Sequence, residues 1–88
     1  MKVDFGNLKV QFGFEDQFEQ VDLRKDLGNT IRRNTVDKGM DELAKEIYFS
    51  NGEIEVPEEY IPELKKIVGK CYIVPVQESI NQLLTDKK

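Results

Sequence analysis

The period of the hydrophobic pattern changes near residue 22, with one short return to alternation at 53–56, and the change near residue 22 limits the folds open to the chain. Before it, apolar and polar residues alternate from Val3 to Phe14, and a period of two indicates strands with one apolar face. After it, apolar residues recur every three or four positions, most regularly over 40–48, as in amphipathic helices. The pattern predicts one α+β domain, an N-terminal β-hairpin followed by three to four short α-helices.

The alternating segment predicts two strands, at about 2–5 and 8–14, so that the hairpin covers about 2–14. Gly6-Asn7 lies between them and suits a two-residue hairpin turn, which needs positive φ angles. Phe18 and Val21 form either a third short strand or a packed loop. Two strands alone are marginal in water, so the hairpin has to pack on the helices or on another copy of the chain.

The helical part, about 22–84, divides at glycine, proline and capping signals. Asp22 and Asp37 are the predicted N-caps of the first two helices, because a carboxylate there accepts free backbone N–H groups. Pro62 would break a helix that began at Pro57, so the third helix is predicted to begin at Tyr60–Pro62. The predicted helices run over about 23–34, 38–49, 61–68 and 76–84, and residues 85–88 form a frayed tail. Gly28 lies inside the first of them, where glycine costs about 1 kcal/mol relative to alanine, so it is expected to mark a close helix contact.

The chain of 88 residues has no histidine and one cysteine, Cys71. Histidine is the usual proton carrier near neutral pH and a common ligand for zinc and other transition metals. We therefore predict no catalytic residue, no metal and no cofactor, and a protein that is not an enzyme. Cys71 precedes the apolar run 72–74 and is predicted to be buried and structural.

The same residues bear on location. A lone cysteine does not call for an oxidising compartment, and no apolar run reaches the length of a signal-peptide core or of the roughly 20 residues that span a membrane. The chain is therefore expected to be cytoplasmic, with no membrane contact.

The formal net charge of −4 is concentrated in the middle of the chain, where residues 37–63 carry nine acids and two lysines. A nucleic-acid binder needs a dominant basic surface, so we predict no nucleic-acid partner. We name the acidic residues within 53–63 the acidic strip. It either attracts a basic partner or is a solvated surface, as most charge runs are.

Three segments, 27–31, 42–50 and 52–56, have hydrophobic spacings that resemble those of small uncharacterised proteins carried by prophages and integrated mobile elements of gut bacteria. The resemblance covers about residues 23–84. It implies a small cytoplasmic protein made together with phage or element genes, and it implies no site residues.

These observations predict a non-enzymatic protein–protein interaction domain, such as an assembly or accessory component of a phage or mobile element, that binds a partner protein or itself. The alternative is an acidic regulator that binds and inhibits a basic or nucleic-acid-binding protein. If the hairpin is the contact surface, the predicted partner-binding residues are Phe12, Phe14 and Phe18. If charge steers the partner, they are Glu55, Glu58 and Glu59. In the opposing interpretation, the phenylalanines are core and the acids are solvated.

Overall fold

The computed structural model describes residues 1–85, and this part of the chain contains four α-helices and two antiparallel two-stranded ribbons. The elements are β1 (Lys2–Val3), β2 (Leu8–Val10), β3 (Glu19–Val21), α1 (Arg24–Asn34), α2 (Lys38–Tyr48), β4 (Ile54–Glu55), a 3-10 turn (Glu58–Tyr60), α3 (Ile61–Cys71) and α4 (Val74–Thr85). The predicted α+β class, with a β-hairpin ahead of short helices, is confirmed. Of the predicted tail, residues 86–88 lie outside the described residues.

The predicted pairing of strand 2–5 with strand 8–14 is wrong. β1 pairs instead with the distant β4, and β2 pairs with β3. A tight turn at Gly6-Asn7 would need left-handed φ angles, yet among residues 1–85 only Gly52 has a positive φ. The Gly6 N–H donates to the Asp4 carboxylate at 2.9 Å, a local turn that closes no hairpin.

The observed hairpin joins β2 to β3 through a longer connection, residues 11–18. Leu8 lies opposite Val21, and Val10 lies opposite Glu19. A short strand near Phe18 to Val21 was one of the two predicted alternatives, and β3 confirms it. Leu8 and Val10 are buried, and α4 packs against β2, where the Ser79 hydroxyl donates a hydrogen bond to the Lys9 carbonyl at 2.9 Å.

Within residues 1–85, α1 and α2 make the most extensive contact between two helices, and Gly28 lies in it. A Cβ at this position would lie 2.8 Å from the Ala44 carbonyl oxygen and 2.9 Å from the Tyr48 Cβ. Leu27 and Ile31 on either side of the glycine are fully buried. The absence of a side chain at Gly28 therefore allows the two helices to approach, as expected for a glycine inside a helix.

The predicted N-cap is correct for α2 and lies one residue too early for α1. The Asp37 carboxylate accepts the Met40 N–H at 3.2 Å, so it caps α2 as predicted. At α1 the N-cap position is Leu23, although the Asp22 carboxylate still accepts the Arg24 N–H at 3.1 Å. Hydrogen bonds from Arg24 lower the pKa of Asp22 to about 2.

The third helix begins at Ile61 with Pro62 in its first turn, as predicted, but continues past Gly69 to Cys71. The prediction that Cys71 is buried is wrong, because its side chain is exposed. Tyr72, the next residue, is half-buried against α1, where its hydroxyl donates to the Asp26 carboxylate at 2.6 Å and accepts a hydrogen bond from the Thr30 hydroxyl at 3.2 Å. Tyr72, and not Cys71, therefore links the end of α3 to α1 through hydrogen bonds.

We expect Gly28→Ala to lower the free energy of unfolding by about 1–2 kcal/mol, because overpacking costs about 1–3 kcal/mol and removing a helical glycine returns up to about 1 kcal/mol. Gly69→Ala is the matched control, since its Cβ would meet nothing closer than Gln77 at 3.9 Å. That variant should be stabilised by up to about 1 kcal/mol. Urea unfolding of both checks this, and equal effects would contradict the close contact.

We expect Tyr72→Phe to lower the free energy of unfolding by about 1 kcal/mol at neutral pH, through the lost hydrogen bonds. Burial and the bond to Asp26 raise the pKa of Tyr72 above its ordinary value of 10.0. The folded chain thus keeps a proton that the unfolded chain loses, so this stabilisation is complete below pH 10 and declines as pH rises through the folded pKa. Thermal unfolding of both proteins from neutral to alkaline pH should show the Tyr72→Phe difference shrinking, and a constant difference would contradict it.

Candidate protein-contact site

The connection between β2 and β3 leaves the body of the domain. Residues 12–20 are all exposed, and only the partly buried Gln11 separates them from the buried Val10. The hydrophobic alternation continues through Phe12 and Phe14, but β2 ends at Val10. We name residues 11–18 the phenylalanine loop.

The three phenylalanines of this loop are exposed to different extents. The exposed fraction is 46% for Phe12, 57% for Phe18 and 106% for Phe14, which therefore touches almost nothing in the fold. Phe5, by contrast, is 1% exposed. The interpretation of the loop phenylalanines as core residues is wrong, and the structure makes all three available at the surface.

The loop holds its shape through two hydrogen bonds to one carbonyl. The Gln11 side-chain amide donates to the Glu15 carbonyl at 2.7 Å, and the Gln17 N–H donates to the same oxygen at 2.8 Å. The chain therefore turns around Glu15, and Phe12 and Phe18 lie on the two arms of the turn. Between the arms lies an open groove of about 460 Å³, lined by Phe12, Gly13, Glu15, Gln17, Phe18 and Glu19.

The loop is also acidic. Glu15, Asp16 and Glu19 lie within residues 11–20, a stretch that has no lysine or arginine. Its surface thus combines aromatic rings with negative charge, and the groove itself has the two carboxylates of Glu15 and Glu19 among its lining residues.

The acidic strip lies on a different part of the fold. Glu55 belongs to β4, and its carboxylate contacts the amino group of Met1, which lowers the pKa of Glu55. Glu58 and Glu59 lie on the 3-10 turn with exposed side chains. The predicted site residues thus divide into two groups, with the phenylalanines on the β2–β3 hairpin and the glutamates on β4 and the turn after it.

A cleft between α1 and α2 has no counterpart among the predicted site residues. It has a volume of about 260 Å³, and its lining includes Gly28, Ala44 and Phe49, which is 69% exposed. At one end Arg32 donates to the Asp41 carboxylate at 2.9 Å. The sequence gives no signal for this cleft, because its lining residues belong to two helices that only the tertiary packing brings together.

The described residues 1–85 contain no group of three or more cysteine, aspartate or glutamate side chains placed to hold a metal ion. Within the same residues, no helix combines the length and the hydropathy that a membrane crossing requires.

A comparison of the chain with protein-family models, with curated proteins and with solved structures finds no match.

We expect Phe14→Ser to change the free energy of unfolding by less than about 0.5 kcal/mol, since substitutions of exposed side chains without partners are nearly neutral. Phe5→Ala should cost about 3–5 kcal/mol or unfold the domain, because it empties a buried position. Urea unfolding compares the two variants. A cost above about 1 kcal/mol for Phe14→Ser would mean that the ring packs within the fold.

Proposed function

We propose that this chain is a non-enzymatic protein-binding domain whose contact surface is the phenylalanine loop. The observation that carries the proposal is the complete exposure of Phe14 beside two further half-exposed phenylalanines. Aromatic side chains are enriched among the few residues that supply most of the binding energy of protein interfaces. When no partner is bound, these rings are exposed to water, and binding a partner would bury them.

The exposed phenylalanine surface is of the right order for the centre of an interface. Together the three rings offer roughly 400 Å² of apolar area. A standard interface buries roughly 800 Å² on each partner, so polar loop residues and the neighbouring β3 must supply the remainder. β3 has β2 on one side only, which leaves its other edge free of strands in the described chain.

Charge favours a different protein over a second copy as the partner. Residues 11–20 carry three negative charges and no positive charge, so two loops in contact would repel each other. The acidic strip supports the alternative function, an acidic regulator, less well. Glu55 already contacts the Met1 amino group, and Glu58 and Glu59 lie beside no exposed large apolar residue of their own turn.

The sequence also supports the class, the location and the genetic context proposed for this domain. The lack of histidine supports a binding function over a catalytic one, and the free thiol of Cys71 supports the cytoplasm. The spacings at 23–84 support an assembly or accessory component of a phage or mobile element.

The test replaces Phe14 with the photoreactive analogue benzoylphenylalanine in the full chain, in cells that naturally express it. We expect irradiation to produce one cross-linked adduct with a defined second protein. Val36 is the matched control, since it is 104% exposed but lies in the connection between α1 and α2. The purified partner should then bind Phe14→Ala at least about tenfold more weakly than the unchanged chain, as expected for a central interface residue.

Three outcomes would contradict the proposal. The first is no adduct from position 14, and the second is the same adducts from positions 14 and 36. The third is an adduct only between two copies of the chain, together with a dimer by light scattering that Phe14→Ala abolishes, which would replace the partner by a second copy.

A further inference from the structure

The groove of the phenylalanine loop has a composition that is selective for one kind of side chain. Two phenylalanines, Phe12 and Phe18, and two glutamates, Glu15 and Glu19, line the same open volume of about 460 Å³. Aromatic rings attract cations through their negative faces, and carboxylates attract them through charge. No lysine or arginine lines the groove to neutralise it.

We infer that this groove receives an arginine side chain of the partner protein. The inference rests on the proposed function, because it names the chemistry of the partner at the same loop. Arginine fits better than lysine, since a planar guanidinium stacks on an aromatic face and hydrogen-bonds carboxylates through several N–H groups at once. The ammonium of lysine is more strongly hydrated and presents no flat face to a ring.

Charge complementarity identifies the occupant. The only charges within residues 11–20 are negative, and an apolar side chain in the groove would place Glu15 and Glu19 beside a surface that cannot pair with them. A cationic side chain satisfies the carboxylates and the rings together. The partner surface therefore presents an arginine beside an apolar area that accepts Phe14, which is not among the residues that line the groove.

The first experiment titrates the full chain with a blocked hexa-arginine peptide and follows backbone amide shifts by NMR. Blocked hexalysine and hexacitrulline peptides are the comparison probes, the second having a similar shape without the charge. We expect the largest shift changes over residues 12–19, with hexa-arginine binding more tightly than hexalysine and hexacitrulline the weakest.

Charge-matched variants then separate the groove from the general acidity of the protein. Glu15→Gln with Glu19→Gln should weaken hexa-arginine binding about tenfold, which lies within the range expected for two exposed ion pairs. Glu58→Gln with Glu59→Gln removes the same charge from the acidic strip and should leave the affinity nearly unchanged. Phe12→Ala with Phe18→Ala should reduce the preference for arginine over lysine.

The inference is overturned if both double glutamine variants lose affinity equally, if hexalysine binds as tightly as hexa-arginine, if the shifts centre elsewhere, or if hexa-arginine does not bind. These outcomes leave the Phe14 cross-linking result unaffected, because Phe14 lies outside the groove. Failure of the cross-linking with intact peptide binding would instead overturn the proposed function and leave an arginine-binding groove.

Discussion

The contact of α1 with α2 at Gly28 is the packing on which the rest of the fold depends. Each of these helices has 11 residues, a length at which an isolated helix is marginal in water, so each needs the other to persist. Other groups hold the N-terminal half of α1 in place. Arg24, at the start of α1, donates to the Ser50 carbonyl just after α2 at 2.6 Å, and Tyr72 connects the α3–α4 junction to α1.

In this arrangement the phenylalanine loop contributes no buried residue to the core. The N-terminal segment contributes Val3, Phe5, Leu8 and Val10 to the core, and the helices supply most of the remainder. Because Val10 is the last buried residue before the loop, Phe12 and Phe14 extend beyond the area that the helices cover. Side chains that do not pack in the core can serve binding without a loss of stability, and the exposed phenylalanine rings are in this position.

Part of the candidate site could be predicted from the sequence. The alternation that ends at Phe14 singled out Phe12 and Phe14, and Phe18 was assigned separately to a third short strand or a packed loop. The alternation also placed Phe12 and Phe14 in a strand, because a period of two does not reveal where a strand ends. The groove could not be predicted from the sequence, because it depends on the hydrogen bonds that Gln11 and Gln17 both donate to the Glu15 carbonyl. The contact of Glu55 with Met1 depends on the pairing of β1 with β4, which are about fifty residues apart in sequence.

Local signals in the sequence by themselves determined the α+β class, the cap at Asp37, the start of α3 around Pro62 and the close approach at Gly28. Each of these follows from interactions within a few residues or from the steric properties of one residue. Only the tertiary structure decided which strands pair, that Cys71 is exposed and that the phenylalanines are not core. Strand pairing joins residues far apart in sequence, and burial depends on how far the neighbouring helices extend, so neither is encoded in a local pattern.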